Sequence, residues 1–267
     1  MARPAEIAVT LTDHGRALLA EAAGTFWFVS IGAGSIVADK LGGNFGVVGV
    51  ALAHGLALAV AVSSFGAISG AHFNPAVTLG LWVANKHPRE RVLTYWGAQA
   101  VGALAAGILL RIVFDHAPAA EDATRLGTPA VAAGLPLLTA IVIELALTVF
   151  LVWAVFGTAV SPNAPRIAGF GIGLTVAADI FMGGPLTGAA MNPARWFGPA
   201  VGAVFFDNWF VYLLGPFAGA ALAGLTYKYL FASDVERKPI AVSGERPPGA
   251  QTEAHSDEVG EDRTERM

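Results

Sequence analysis

The sequence predicts an all-α membrane protein in which six transmembrane helices and two re-entrant half-helices form an inverted repeat. Three observations carry this expectation. The 267 residues are 55% hydrophobic and only 13% charged, about half the charge of an average soluble domain. The 45 residues from Leu41 to Asn85 contain no Lys, Arg, Asp or Glu, which is lipid-facing or buried sequence. Within that apolar stretch lies Ser69-Gly70-Ala71-His72-Phe73-Asn74-Pro75-Ala76, and the chain repeats the device as Thr187-Gly188-Ala189-Ala190-Met191-Asn192-Pro193-Ala194. Asn caps a helix by accepting from backbone N–H groups, and Pro at the first helical position loses nothing there. Each box therefore starts a short helix at membrane depth with its positive dipole end inside.

In chain order, residues 1–16 read as a short polar lead and lack a hydrophobic signal core. The first span runs from about Ala17 to Ala38 and enters at Glu21. The second covers about Val47 to Ala67 and carries His54. Ser69–His72 forms a re-entrant loop, and a half-helix follows from Asn74 to about Ala84. Lys86-His87-Pro88-Arg89-Glu90-Arg91 is a charged hinge, and the third span covers Val92 to about Val113. A polar loop follows from Asp115 to about Leu135. The fourth span, about Pro136 to Val160, is interrupted only by Glu144. After a tight Pro-containing connection, the fifth span covers about Arg166 to Met182 and contains Asp179. Gly183 to Ala190 is the second re-entrant loop, Asn192 to about Val204 the second half-helix, and Trp209 to Phe231 the last span. Most spans meet the roughly 20-residue requirement for crossing the hydrocarbon core. Irregular loops at that depth require a cavity or burial in protein.

The two halves repeat, about 17–114 and about 136–231, together a channel-like domain over 17–231. Glu21 with Thr25 parallels Glu144 with Thr148, His54-Gly55-Leu56 parallels Ile172-Gly173-Leu174, and Gly102 and Gly107 parallel Gly219 and Gly224. Each repeat holds three spans, so the second enters from the opposite side, which places a pathway at the midplane. Lys and Arg favour one face, with Arg3, Arg16, Lys86, Arg89, Arg91, Arg166, Lys228, Arg237 and Lys238 against Lys40, Arg111 and Arg125. Both termini are therefore expected in the cytoplasm. Residues 232–267 are acidic, rich in Gly and Pro, and expected to be disordered.

Head-to-head repeats bring the two half-helix N-termini together, with Asn74 and Asn192 presenting amides to a narrow lumen. The dipole ends repel cations, and the amide donors orient passing water or hydroxyls so that a proton-conducting chain is broken. The repeat breaks where Val77 follows the first Asn-Pro-Ala and Arg195 follows the second. A charge just inside a membrane helix is costly, so Arg195 is a functional candidate.

These boxes, the paired Glu residues and Asn-Pro-Ala-Arg resemble the major intrinsic protein (aquaporin and aquaglyceroporin) family over residues about 17–231. Ala-His-Gly-Leu-Ala-Leu (53–58) and Gly-Ala-Ala-Met-Asn-Pro-Ala-Arg-Trp-Phe-Gly-Pro-Ala (188–200) are similar to the plant tonoplast branch, and Gly-Pro-Leu-Thr-Gly (184–188) resembles glycerol facilitators. The resemblance implies a homotetramer in which each subunit carries its own pore. It also implies a constriction of four positions: His54, 20 residues before the first Asn; Ile180 and Ala189, 15 and six before the Arg; and Arg195 itself. His-Ile-Ala-Arg matches neither the strict water channels nor the glycerol facilitators. It implies a wider, half-apolar filter for water with ammonia, urea or glycerol.

Each candidate has a plainer alternative. The two Asn residues can serve as caps alone, Arg195 as a structural cation bonding loop carbonyls, and His54 as a packed core histidine. His72 reads as a prop of its loop, and Glu21 and Glu144 as acceptors for loop N–H groups. Asp179 is either a satisfied group off the pore or a vestibule carboxylate that attracts ammonium. The leading function is a passive channel for water and small neutral solutes that excludes protons and ions. The alternatives are a facilitator mainly for glycerol, urea or ammonia, and, in a different class, a proton-coupled carrier or membrane-embedded enzyme using His54, Asp179, Glu144 and His72. No nucleophile–base pair stands out, no His-Glu-x-x-His spacing occurs, and there is no Cys. We therefore expect no enzyme activity, no cofactor and no metal. A net charge of −4 offers no basic surface, so no nucleic-acid partner is expected. The expected address is a multi-pass plasma or inner membrane, or the vacuolar membrane if the source is a plant.

Overall fold

The computed structural model describes residues 12–165 and 167–233. The expected lead up to residue 11, Arg166, and the tail from residue 234 lie outside the described residues. Nine α-helices appear among them: α1 (Asp13–Ala38), α2 (Gly46–Ser69), α3 (Pro75–Val83), α4 (Val92–Phe114), α5 (Pro118–Thr124), α6 (Leu137–Val155), α7 (Ala168–Thr187), α8 (Pro193–Ala203) and α9 (Val211–Thr226). Wider π-helical turns extend α1 to Gly43, α6 to Val160 and α9 to Phe231.

Five helices, counted with their flanking turns, are long and apolar enough to cross a membrane: Asp13–Gly43, Gly46–Ser69, Arg89–Phe114, Leu137–Val160 and Gly169–Thr187. The sixth expected span, α9 with its π turn, is diluted by Pro216, Thr226, Tyr227 and Lys228 and falls outside that group. Its position in the second repeat is nevertheless that of α4 in the first. α4 packs on α1, and α9 packs on α6.

Small residues set these crossings. A side chain at Gly102 of α4 would overlap the Ala22 carbonyl of α1, and one at Gly219 of α9 would overlap the Leu145 carbonyl of α6. Ala22 and Leu145 each follow the paired Glu of their repeat, so the two contacts are equivalents. The half-helices reach across between repeats. Gly107 of α4 meets Gly198 of α8, and Gly224 of α9 meets Gly80 of α3. On the axis relating the repeats, Gly55 of α2 and Gly173 of α7 pack against each other's carbonyls. Backbones approach this closely only where side chains are absent, the usual packing of membrane helices.

The structure differs from expectation at four places. α1 begins at Asp13, four residues before Ala17, because Thr12 caps it by accepting from the Gly15 N–H at 3.1 Å. α7 continues through Gly183-Gly184-Pro185 to Thr187. A Pro in the last turn removes one helical bond, and the buried Thr187 hydroxyl, bonded to Glu144, draws the helix onward. The second re-entrant loop thus begins at Gly188. Likewise α2 runs to Ser69, whose hydroxyl bonds Glu21. Both helices end on a left-handed glycine, Gly70 (φ 86°) and Gly188 (φ 81°), a conformation that costs glycine little. Finally, the loop 115–135 contains α5 and a 3-10 turn instead of being irregular throughout.

Candidate channel and solute filter

Each half-helix starts on its Asn. Asn74 (φ −157°, ψ 118°) and Asn192 (φ −153°, ψ 110°) are extended, and each Oδ1 accepts from the backbone N–H groups two and three residues on. The nearest of these contacts, at Ala76 and Ala194, are 2.8 and 2.9 Å. Pro75 and Pro193 take the first helical position and Ala76 and Ala194 the next, all four buried. The caps therefore form as the sequence predicts.

The amide ends add a link that the sequence does not announce. Asn74 Nδ2 donates to the Met191 carbonyl and Asn192 Nδ2 to the Phe73 carbonyl, both at 2.9 Å. Each box braces the loop of the other. An amide has two N–H donors, so one per Asn is spent on this brace and one is left.

The loops are held from behind by the two glutamates. Glu21 accepts from the N–H groups of His72 (2.9 Å) and Phe73 (2.7 Å), from the Ser69 hydroxyl (2.7 Å), and from Gln99 Nε2 (2.8 Å). Glu144 accepts from Ala190 (2.9 Å), Met191 (2.7 Å) and the Thr187 hydroxyl (2.7 Å). Ala71, Phe73, Ala189 and Met191 all lie at φ between 45° and 52°. Left-handed backbone at four non-glycine residues persists only where its surroundings over-determine it, and the glutamates supply that restraint.

Between the repeats lies a narrow, partly enclosed cavity. All four expected constriction residues line it, His54, Ile180, Ala189 and Arg195, together with Asn74, Asn192 and His72. Glu21, Glu144 and Asp179 do not. The lining follows the repeat. Leu58 and Val62 face it from α2, as Val176 and Ile180 do from α7. His54 and Ile172 are equivalents, and so are Arg195 and Val77. The repeat thus sets His54 and Arg195 in one half of the lining against Ile172 and Val77 in the other.

Arg195 is 2% exposed. Its guanidinium donates to the Gly127 carbonyl at 2.8 Å and to His54 Nε2 at 3.1 Å. His54 Nδ1 lies 2.8 Å from the Val50 carbonyl. A carbonyl only accepts, so the proton sits on Nδ1 and Nε2 is a bare acceptor for Arg195. The structural alternative for Arg195 and its place on the channel wall thus coexist, and both ring nitrogens of His54 are committed.

His72 Nδ1 lies 3.0 Å from the Thr78 hydroxyl. Its ring packs among His87 (centroids 4.7 Å apart) and Tyr95 (5.0 Å), so the propping role and contact with the channel also coexist. Burial first, then the neighbouring His72 imidazole, push His87 down from the usual imidazole range to about 3. Asp179 is 6% exposed, and its Oδ2 has no partner among the described residues. It is off the channel lining, as the first of its two readings expects, with that one oxygen left without a partner.

Several contributors carried no usable sequence signal. Phe28 lines the channel and meets His54 edge-on at 6.0 Å between centroids, but reads as one more apolar residue of its span. Gly127 acts through a carbonyl, which has no side-chain signature. Tyr95 and Tyr212 were legible in principle. They stand at equal distances before the paired glycines of α4 and α9, and their hydroxyls donate to Ser69 O (2.8 Å) and Thr187 O (2.9 Å).

Spanning helices in two repeats, which send opposed half-helices into a shared lined passage, define a membrane channel for water and small solutes. The chain belongs to the major intrinsic protein family, whose profile matches residues 8–227. Among curated relatives, probable aquaporin TIP3-2 of Arabidopsis thaliana is 43% identical over 244 residues, covering 86% of this chain and 89% of the relative. Aquaporin TIP4-4 of Zea mays is 44% identical over 237 residues, covering 84% and 90%. The X-ray structure of the aquaglyceroporin from Plasmodium falciparum superposes with a TM-score of 0.74 at 23% identity, covering 81% of this chain and 96% of that one, a likeness of fold. The protein is an integral multi-pass membrane protein, as expected, and the likeness to TIP-type aquaporins agrees with the tonoplast-branch motifs. The expected plasma membrane finds no support in these relatives.

Proposed function

We propose that the protein passes water and small neutral solutes such as ammonia and urea through a filter of His54, Ile180, Ala189 and Arg195, while excluding protons and ions. The observation that carries this reading is that these four side chains line the same cavity as Asn74 and Asn192. Arg195 keeps further N–H donors for solute oxygens or nitrogens after serving Gly127 and His54. Its charge, with the two half-helix dipole ends, opposes cations. Ile180 and Ala189 give the facing wall no donor and little bulk, which favours solutes wider than water. At the boxes, the remaining N–H of each Asn turns a passing water so that its own protons point away, and the relay of protons breaks.

The channel domain spans 17–231 in this reading, and the chain works as a homotetramer with one pore per subunit. No catalytic turnover, cofactor or metal is assigned. The start of α1 and the end of α9 lie beside the 86–91 connection, with His14 against Tyr95 and Lys228 reaching the Val83 carbonyl. The basic residues gathered there support a cytosolic placement of both termini. The likeness to TIP-type relatives favours a membrane of the tonoplast kind over the plasma or inner membrane. Reconstituted vesicles should shrink osmotically much faster than empty ones, with low activation energy and no dependence on a proton gradient. Flux that saturates with solute and follows the proton gradient would replace the channel with a carrier.

A further inference from the structure

We infer that Tyr212 is a positioning residue for the solute filter, holding the segment that carries Ala189 from outside the channel. The inference rests on the proposed roles of Ala189 and Arg195.

α7 ends at Thr187, and the chain reverses through Gly188 (φ 81°), Ala189 (φ 45°) and Met191 (φ 52°) before α8 begins. The last carbonyls of a helix have no partner within it. At Thr187, which is fully buried, that partner comes from α9: the Tyr212 hydroxyl donates to Thr187 O at 2.9 Å. The Thr187 hydroxyl accepts from the Ala189 N–H at 3.2 Å and donates to Glu144 at 2.7 Å. Thr187 is thus pinned on both sides, by Glu144 facing the loop and by Tyr212 behind it, and its next-but-one neighbour is a filter position. Tyr212 is fully buried, and its ring stacks on Trp196 at 5.7 Å with 12° between planes. Trp196 directly follows Arg195, so one tyrosine contacts both ends of the 187–196 segment.

The other repeat supplies an internal control. Tyr95 gives the same hydrogen bond to Ser69 O at 2.8 Å, but the segment it holds leads to Ala71 and His72, where the proposed filter does not sit. A purely structural duty predicts equal consequences for the two tyrosines. A filter-positioning duty predicts unequal ones.

The test is the glycerol-to-water permeability ratio of proteoliposomes carrying Tyr212→Phe, Tyr95→Phe or Arg195→Val, with the melting temperature of each. Tyr→Phe keeps ring and packing and removes one donor. Trp196→Phe, which shrinks the ring stacked on Tyr212, is a second route should Tyr212→Phe assemble poorly. The expected result is a ratio raised by about twofold or more in Tyr212→Phe, in the same direction in Trp196→Phe, and unchanged in Tyr95→Phe even if its melting temperature falls equally. A ratio unchanged in Tyr212→Phe and Trp196→Phe but raised in Arg195→Val overturns the inference and leaves the filter standing. A ratio unchanged in Arg195→Val overturns both.

Discussion

His54 Nε2 accepts a hydrogen bond from the Arg195 guanidinium at 3.1 Å, joining α2 of one repeat to α8 of the other. The bond fixes the imidazole tautomer, because Nδ1 is committed to the Val50 carbonyl. It also draws Arg195, the only charged side chain lining the channel among the described residues, towards α2. His54→Ala should therefore free the guanidinium and alter solute ratios, not merely total flux. A hydrogen bond to a charged group is worth about 1.5–3 kcal/mol, enough to redistribute an arginine between positions. Stopped-flow comparison of urea and water in the variant checks this, and unchanged ratios would remove the pair from the constriction.

Ile180→His should narrow the filter and add a donor to its apolar wall. Urea and glycerol uptake should then fall relative to water. An unchanged profile would place Ile180 outside the narrowest part of the channel.

The two glutamates should respond unequally to the same substitution. Glu144→Gln turns an acceptor into an NH₂ group facing loop N–H or hydroxyl donors, at a cost of about 1–3 kcal/mol for each buried group left unpaired. Glu21→Gln has a remedy nearby. Gln99 Oε1 has no partner among the described residues, and the Gln99 amide, already bonded to Glu21 and Thr78 through Nε2, can turn to accept from the new amide. Pro216 holds the equivalent place in α9 and offers no such acceptor. Melting temperatures in detergent should fall further for Glu144→Gln than for Glu21→Gln, and Gln99→Leu should abolish that difference.

Acid should destabilise the protein partly through His87. Its folded-state pKa lies near 3 against an ordinary 6.5, so the unfolded chain takes up a proton that the folded chain refuses. The associated stability is whole above about pH 6.5 and is lost as pH falls towards about 3. The melting temperature should decline between about pH 6.5 and about pH 4, and His87→Gln should flatten part of that decline. An identical slope in the variant would assign it to other groups.

How much the sequence disclosed depends on how each residue acts. The boxes, the glutamates and Arg195 are polar groups in apolar sequence, where their cost makes them conspicuous, and the duplication pairs them. The caps at Asn74 and Asn192 followed from Asn-Pro alone. By contrast, the cross-braces run to the Met191 and Phe73 carbonyls, and Arg195 is held by the Gly127 carbonyl. Backbone acceptors leave no trace in composition. The end of α7 is not legible in the sequence because Gly183-Gly184-Pro185 looks like a break, whereas the tertiary bond from Thr187 to Glu144 carries the helix past it. Tyr95 and Tyr212 were hidden differently, since an aromatic near the end of a membrane span is ordinary, and only their matching distances from the paired glycines set them apart.

The most direct test of the central claim measures water, ammonia, urea, glycerol and proton fluxes in one preparation of proteoliposomes against empty vesicles. The account predicts fast water flow, ammonia and urea above background, slower glycerol, and proton flux equal to that of empty vesicles. Proton flux rising with the water flux would contradict the role given to Asn74, Asn192 and Arg195, and absence of any water flux would contradict the open channel itself.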